Sequence, residues 1–390
     1  MFFGVVSEEE RLLFSCAPVV LSALSYSKRD ARHIITFRME RAVYRIIDAN
    51  FNRAREAIRV IEEYCRFCLN STQLFERTKC LRHDLSSTIS QIDAKRLITS
   101  RDTPGDVGVG KIVEQQLRRE SLTDCCTAAC KRLTEALRAL AEVIQTQNKP
   151  AAEKIENIRY AAYTLEKDIV LFSNAAVKFK NVGLYIVITS NMPSDVLSLT
   201  HKCISGGADC VQLRSKTIGD DLFYELALEF VHICKDGGVL SIINDRTDIA
   251  VAADADGVHL GQNDLSVKCA RKLQTKPMIV GKSTHSVEQL NVACSELPTY
   301  VGLGPVFATP TKPGAQAVSL DYVKEAKEIL SDTGIYGVAI GGISSGNINE
   351  VLEAGADCIA VCSVVTDSSD PAAECRVLKK KINTYKAGNR

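Results

Sequence analysis

Short apolar runs alternate with amphipathic stretches of helical period from residue 183 to the end of the chain. Eight of the runs have the length and apolar content of buried strands. They read LYIVIT, CVQLR, LSIIN, GVHL, MIVGKS, YVGLGPV, YGVAIGG and CIAVCS, and stretches such as DLFYELALEFVHICKD separate most of them. Eight alternating units predict a small (β/α)₈ TIM barrel. A doubly wound open sheet is the alternative, and the even spacing of the units favours closure.

Residues 40 to about 172 repeat apolar positions at helical spacing instead, and they are rich in Ala, Leu, Glu and Arg. This pattern predicts an all-α helical bundle ahead of the barrel, within an α/β chain. We place the joint near SNAAVKFKN, residues 173–181, because this segment is short and rich in small residues. The predicted domains are residues 39–175 and 176–390, and residues 1–38 form an N-terminal extension without an assigned role.

The composition argues against several classes of protein. The formal net charge of +1 over 390 residues gives no electrostatic reason to bind nucleic acid or an anionic membrane. No apolar run approaches the roughly 20 residues of a membrane span. The start, MFFGVVSEEERLLF, is acidic where a secretory signal would be basic.

Fifteen scattered cysteines are typical of a reducing compartment, and we expect a cytoplasmic protein. The tightest groups lie in helical sequence: Cys65 and Cys68, then Cys125, Cys126 and Cys130. We interpret them as buried free thiols, because free cysteine packs as a small hydrophobe. A metal or cluster site is the alternative.

Two carboxylates follow predicted strands directly. Asp245 ends the third run, and Asp264 lies just past the fourth. The carboxyl ends of barrel strands form one rim, where the active sites of this fold are built. The alternative at each position is an aspartate that only caps the following helix.

The other strand ends supply cations and backbone amides to the same rim. Gln212, Arg214 and Lys216 alternate along the second strand and therefore share one face. The fifth and sixth strands are followed by further polar residues: Ser283, Thr284, His285, Thr309, Thr311 and Lys312. Glycines after the seventh strand and a small residue after the eighth let backbone N–H groups approach a phosphate. Carboxylates beside these cations indicate Mg²⁺ held against a polyphosphate.

QLRSK, INDR, DGVHLGQND, GKSTHS, GLGPVFATPTKPG and AIGG, in this order and spacing, resemble the motifs of the thiamine-phosphate synthase family. The resemblance covers roughly residues 183 to 385. It implies a transferase of thiamine biosynthesis that condenses hydroxymethylpyrimidine diphosphate with a thiazole phosphate, giving thiamine phosphate and pyrophosphate. It further implies Mg²⁺ as cofactor and a dissociative mechanism, in which pyrophosphate leaves before the bond to the thiazole nitrogen forms.

The resemblance also implies roles for individual rim residues. The pyrimidine diphosphate is expected to meet Gln212, Arg214, Lys216, Asn244, Ser283 and Lys312. Of these, Arg214, Lys216, Ser283 and Lys312 are the expected catalytic residues. The expected Mg²⁺ ligands are Asp245 and Asp264.

The thiazole phosphate is expected to meet Thr309, Thr311, Gly342 and the backbone near Cys362 and Ser363. Leu213, Ser215 and Pro310 complete the expected substrate-binding set. Two positions depart from the family pattern. Ala308 replaces a frequent proline, and Lys282 replaces a residue that is often apolar and is expected to point away from Ser283.

In the helical half, DANFNRAREAIRVIEEYCRF, LRHDL, RDTPGDVG and RLTEALRALAE resemble a domain often fused ahead of this synthase. That family is linked to an alternative type of hydroxymethylpyrimidine-phosphate kinase, which makes ATP a candidate ligand. The candidate residues are Asn50, Arg53, Glu56, Arg59, Arg101, Asp102 and Asp106. A scaffold or dimerisation role is the alternative, since no Walker motif is present.

Two other functions are compatible with the same barrel. A thiazole tautomerase-like relative has no use for a diphosphate site, and the cations and carboxylates of the rim favour the synthase. A non-catalytic sensor of phosphate ligands is the alternative from another class. The expected partners are small-molecule substrates, without nucleic acid or membrane, and a homo-oligomer stays open.

Overall fold

The computed structural model describes residues 28–111, 119–189, 192–309 and 316–388. Within these ranges a bundle of helices precedes a closed barrel. The helices of the first half are α1 Lys28–Phe67, α2 Thr72–Ile89, α3 Ala94–Thr99, α4 Leu122–Ile144 and α5 Lys149–Phe179. None of the helices in the described part of the chain is long and apolar enough to cross a membrane.

The strands form one parallel barrel in chain order, and β8 pairs with β1 to close it. They are β1 Leu184–Thr189, β2 Cys210–Arg214, β3 Leu240–Asn244, β4 Gly257–Leu260, β5 Ile279–Thr284, β6 Tyr300–Leu303, β7 Tyr336–Ile340 and β8 Cys358–Val361. The predicted TIM barrel is therefore confirmed, and the open sheet is wrong. The last three runs were predicted too long, because their final glycines and small residues turn into loops.

Helices follow the strands around the barrel. They are α6 Pro193–Ser205, α7 Asp220–Asp236, α8 Thr247–Ala252, α9 Val267–Leu273, α10 Val287–Ser295, α11 Ser319–Leu330, α12 Ile348–Glu353, α13 Ser363–Thr366 and α14 Pro371–Gly388. Their apolar faces cover the outward side chains of the strands, which explains why the strand sequences are almost continuously apolar.

Apolar side chains of α1, α2, α4 and α5 pack together in the helical half, and this core is continuous with the one around the barrel. Ser121 caps α4 by accepting a hydrogen bond from the backbone N–H of Asp124. Asp48 lies inside α1, which begins at Lys28, and its carboxylate accepts two hydrogen bonds of 2.7 Å from Arg101. Lys28 falls within the segment predicted as an extension, and residues 1–27 lie outside the described residues.

The cysteine groups of this half are free thiols, as predicted, but not all of them are buried. Cys65, Cys126 and Cys130 are buried, Cys125 is half-buried and Cys68 is exposed. Burial raises the pKa of Cys65 to about 12. Among the described residues no group of three or more His, Cys, Asp or Glu side chains is placed to hold a metal ion.

Helix α5 continues through most of the segment that we interpreted as a joint and ends at Phe179. Its last turn and Val182 pack against side chains from the first positions of the strands, including Tyr185 and Tyr300. We call this apolar layer, at the N-terminal ends of the strands, the barrel floor. The small residues around Ala175 let the helix approach the floor closely, so they serve packing rather than flexibility.

A second contact joins the two halves at the start of α2. The Asn70 and Thr72 side chains donate hydrogen bonds to the carbonyls of Ser331 and Asp332, at 2.7 and 2.8 Å. Arg271 of α9 is buried beside α5: burial lowers its pKa, and the carboxylate of Asp168 raises it. The helical half is therefore attached to the barrel by polar contacts as well as by the floor.

We expect Gly281→Ala to destabilise the barrel by about 1–3 kcal/mol through overpacking. An ideal Cβ at Gly281 would lie 2.1 Å from Cζ of Tyr300, whose ring is fully enclosed. Urea unfolding followed by circular dichroism measures the change. Gly219→Ala is the matched control, because a Cβ there meets nothing within 4 Å. Equal midpoints for the two variants would contradict this account of the floor.

Candidate active site

A cavity of about 290 Å³ opens at the carboxyl ends of the strands. Among the residues that line it are most of those predicted for the site: Gln212, Arg214, Lys216, Asn244, Asp245, Asp264, Ser283, Thr309, Gly342, Cys362 and Ser363. They come from seven different strand ends, since each parallel strand delivers its last residues to this rim. Pro310, Thr311 and Lys312 lie outside the described residues.

Three neighbouring residues do not line the cavity. The Leu213 side chain is fully buried in the outer core, because strand alternation turns it away from Gln212 and Arg214. The Ser215 hydroxyl accepts a hydrogen bond from the backbone N–H of Ile218 at 3.2 Å and shapes the loop after β2. Lys282 points away from Ser283, as predicted, and its ammonium donates to the carbonyl of Gly261 at 2.7 Å.

Asp245 and Asp264, which we call the acidic pair, face each other across the rim. Asp245 has a φ of 63°, a left-handed conformation that aspartate tolerates better than most residues. Its backbone N–H donates to the carbonyl of His259 at 2.8 Å, which ties β3 to β4. The Asp264 carboxylate accepts a hydrogen bond of 2.7 Å from the backbone N–H of Gly261.

Neither aspartate caps a helix. Helix α8 has Arg246 at its N-cap and lacks a side-chain cap, and α9 is capped by Ser266. The capping alternative is therefore wrong, and both carboxylates are left to face the cavity.

The pKa of Asp264 is raised by burial and by a hydrogen bond to the Asp245 carboxyl, and Lys216 lowers it in part. Lys216 also contacts Asp245 directly. Two carboxylates in contact at a partly buried position, one of them with a raised pKa, suit a divalent cation, which relieves their repulsion. Mg²⁺ commonly takes one or two carboxylates and completes its shell with water and phosphate oxygens.

A chain of hydrogen bonds runs through the barrel interior beneath the acidic pair. Gln212 Nε2 donates to the Tyr185 hydroxyl at 3.0 Å, and this hydroxyl lies 2.8 Å from that of Tyr300. The Tyr300 hydroxyl is 2.9 Å from His259 Nδ1, and His259 Nε2 is 2.8 Å from Ser283 Oγ. We call these five residues the polar column.

Three members of the polar column, Tyr185, Tyr300 and His259, were not predicted from the sequence. For Tyr300 the signal was a glycine in the neighbouring strand. An ideal Cβ at Gly281 would lie 2.1 Å from Cζ of Tyr300, so the glycine leaves space for the ring. A glycine in a barrel strand marks the place where a large neighbour fills the interior.

The loop after β7 brings backbone amides to the opposite side of the cavity. Gly341 and Gly342 have φ of 105° and 64°, and a Cβ would collide with Pro305 and with the Ala308 carbonyl. Only glycine adopts this backbone at such close approach. Together with the chain at Cys362 and Ser363, it forms a concave surface suited to a phosphate.

Comparison with known proteins assigns relatives to both halves. The family model described as thiamine monophosphate synthase matches residues 184–365, and that of the ThiD2 family matches residues 45–168. Thiamine-phosphate synthase of Nostoc punctiforme is 37% identical over 349 residues, covering 90% of this chain and 97% of the relative. That of Synechocystis is 37% identical, covering 85% of this chain and 93% of the relative.

Thiamine phosphate pyrophosphorylase of Pyrococcus furiosus is similar among solved structures, with 31% identity and a TM-score of 0.49. It covers 54% of this chain and 98% of its own. The match to the Nostoc protein, by its length, extends through the helical half as well as the barrel.

We expect Asp264→Asn to raise the melting temperature at pH 7 in the presence of a chelator. The folded-state pKa of Asp264 is raised, so this group stabilises the fold only at low pH, and the gain is lost as pH rises through that pKa. The asparagine removes the repulsion and keeps an oxygen for the Gly261 N–H. The advantage over wild type should shrink as pH falls, by differential scanning fluorimetry. Asp321→Asn, with a side chain 90% exposed, is the control. A melting temperature of Asp264→Asn below that of wild type would contradict a repulsion between the Asp264 and Asp245 carboxylates.

Proposed function

The chain belongs to the thiamine-phosphate synthase family, and we propose that its barrel joins hydroxymethylpyrimidine diphosphate to a thiazole phosphate. The acidic pair beside Lys216 is the observation on which this proposal rests. Carboxylates next to cations suit a metal-bound diphosphate better than a bare anion, which would be repelled. When bound, Mg²⁺ would supply positive charge for the leaving diphosphate, and Asp245 and Asp264 would hold it.

The remaining groups of the rim divide between the two substrates. Arg214 and Lys216, from β2, face the side of the cavity where the diphosphate would lie and would stabilise its growing charge. We place Lys312 with them on the resemblance of its motif. Asn244 and Gln212 are buried polar side chains at the cavity wall and would orient the pyrimidine. The glycine loop after β7, with Thr309 and Ser363, would hold the thiazole phosphate.

The proposed reaction breaks the bond between the pyrimidine methylene carbon and the diphosphate oxygen, and the electron pair leaves with the diphosphate. The methylene carbon, left as a cation that the pyrimidine stabilises, then bonds to the thiazole nitrogen. The chain's own contribution is to hold the two substrates in contact and to place cations at the leaving group. Pyrophosphate and thiamine phosphate are the products.

The two alternative functions account for fewer of the residues that face the cavity. A thiazole tautomerase-like protein needs a phosphate cradle and no second anion site, whereas here the acidic pair and two cations face the cavity. A non-catalytic sensor would bind the same ligands. Release of pyrophosphate when both substrates are mixed distinguishes the enzyme from the sensor.

For the helical half we propose a hydroxymethylpyrimidine-phosphate kinase that would supply the diphosphate to the barrel. The family match to residues 45–168 supports a separate function. Of the candidate residues, Arg101 and Asp102 lie in the loop after α3, where Arg101 pairs with Asp48 of α1 and Arg41 and Arg45 approach Asp102. Asn50 and Arg53 are hydrogen-bonded to each other on α1. Arg59 lies farther along α1, in ion pairs with Glu62 and Glu63. The packing of α5 into the barrel floor favours the scaffold alternative.

Asp245→Ala and Asp264→Ala should each lower turnover by about 10²-fold or more, the usual effect of removing a metal ligand or a key charge stabiliser. Both lie past strand ends, so the circular dichroism spectrum should stay native. Pyrophosphate release measures turnover. The control is Asp236→Ala, which removes the same charge from an exposed position at the end of α7. Near-normal turnover of both variants at limiting Mg²⁺ would contradict the proposal that the acidic pair holds the metal.

For the kinase, the full chain carrying Asp245→Ala should convert the pyrimidine monophosphate, ATP and Mg²⁺ to the diphosphate, which accumulates because condensation is blocked. Mass spectrometry detects it. Adding Arg53→Ala or Asp102→Ala should abolish the conversion, whereas Arg138→Ala, an exposed arginine on α4, should not. Absence of diphosphate, with full condensation by the wild-type chain, would leave the helical half as a scaffold.

A further inference from the structure

The last turn of α5 supports the interior of the barrel from below. Phe179 is buried, and its ring stacks on that of Tyr300 with centroids 4.6 Å apart and planes 7° from parallel. Phe179 also meets Tyr336 at 5.6 Å between centroids. A residue of the helical half's final helix is thus in direct contact with a member of the polar column.

Tyr300 depends on its neighbours for its position. Its ring contacts Tyr185 edge-on at 5.8 Å and His259 at 5.5 Å between centroids, and Gly281 leaves the space it occupies. The Tyr185 ring meets it at 76° and the His259 ring at 21° between planes. Phe179 is the stacked contact on the floor side, so its removal leaves room for the Tyr300 ring to move down.

One arrangement of protons satisfies every member of the polar column. Burial raises the pKa of Tyr185 and Tyr300 well above its ordinary value, so both hydroxyls keep their protons. Gln212 then donates to Tyr185, Tyr185 to Tyr300, and Tyr300 to Nδ1 of His259. With Tyr300 donating to Nδ1, the imidazole donates from Nε2 to Ser283 Oγ.

This arrangement leaves the hydroxyl proton of Ser283 available to a ligand in the cavity. It also links the orientation of Ser283 to that of Tyr300 by way of His259. In the strand register, Tyr300 lies level with Gly281, two residues lower in the barrel wall than Ser283. A shift of the Tyr300 hydroxyl would therefore disturb both ends of the column, Ser283 and Gln212, each of which lines the cavity.

We infer that Phe179 is a positioning residue of the barrel's active site, acting through Tyr300 and His259 on Ser283. Only the kinetic test of this inference rests on the proposed function. The helical half is then a structural part of the synthase site, whatever chemistry it performs itself. Its contribution is the last turn of α5.

The test compares Phe179→Leu with Phe172→Leu in the full chain. Both phenylalanines lie on α5 and are 1% exposed, but Phe172 packs toward Gly334 and is not part of the ring stack on the floor. Each variant loses a similar buried ring, so both should lose similar thermal stability. Only Phe179→Leu should lower kcat/KM for the pyrimidine diphosphate, by about two- to tenfold, the usual range for one aromatic pair. The KM for the thiazole phosphate should stay unchanged.

A second readout does not depend on the reaction. With ¹⁵N-labelled histidine, the His259 ring signals, assigned by their loss in His259→Gln, report the hydrogen bonds of Nδ1 and Nε2. Phe179→Leu should shift these signals, and Phe172→Leu should leave them in place. If the signals shift while the wild-type chain releases no pyrophosphate, the inference stands and the proposed function fails. Equal effects of the two variants on kcat/KM, or an unmoved His259, would overturn the inference.

Discussion

An eight-stranded barrel encloses a space that side chains must fill completely, and in this chain aromatic rings and an imidazole fill it. Polar atoms in such a space need partners, because an unpaired buried hydroxyl costs about 1–3 kcal/mol. The polar column meets this demand with one continuous series of hydrogen bonds between Gln212 and Ser283. The packing of the floor and the geometry of the cavity are thus fixed by the same side chains.

At the rim, by contrast, two features lower the stability of the folded protein. Burial and the contact with Asp245 raise the pKa of Asp264, and Asp245 occupies a backbone conformation that few residues adopt. Both features cost free energy in the folded protein and are tolerated because the surrounding loops fix them. Strain and like charge concentrated at the end of adjacent strands are typical of a site arranged for a ligand.

Alternation of apolar runs and helical stretches was enough to predict the barrel, because parallel strands buried on both faces have nearly continuous apolar sequences. Asp245, Asp264 and the face of β2 were predictable for the same reason: polar residues at strand ends need a role. His259 was not, since a single polar residue within an apolar strand looks like ordinary core, and Tyr300 was missed although Gly281 leaves the space for its ring. The helical path of 173–179 was missed because small residues suggest a loop, whereas here they allow close packing. The loop that contains Lys312 lies outside the described residues, so its predicted role is unchanged.

The continuity of α5 into the barrel floor has a consequence for how the chain matures on the ribosome. The helical half emerges first, and the contacts among α1, α2, α4 and α5 need no strand. Phe179 and Val182, however, are buried only by strands that are made later, since Cys358 of β8 belongs to the same layer. Until synthesis reaches that strand, the end of α5 displays apolar surface to the solvent, a state prone to misassembly. Vectorial synthesis therefore makes barrel closure the step that shields the junction, and a pause in translation before β8 would prolong its exposure.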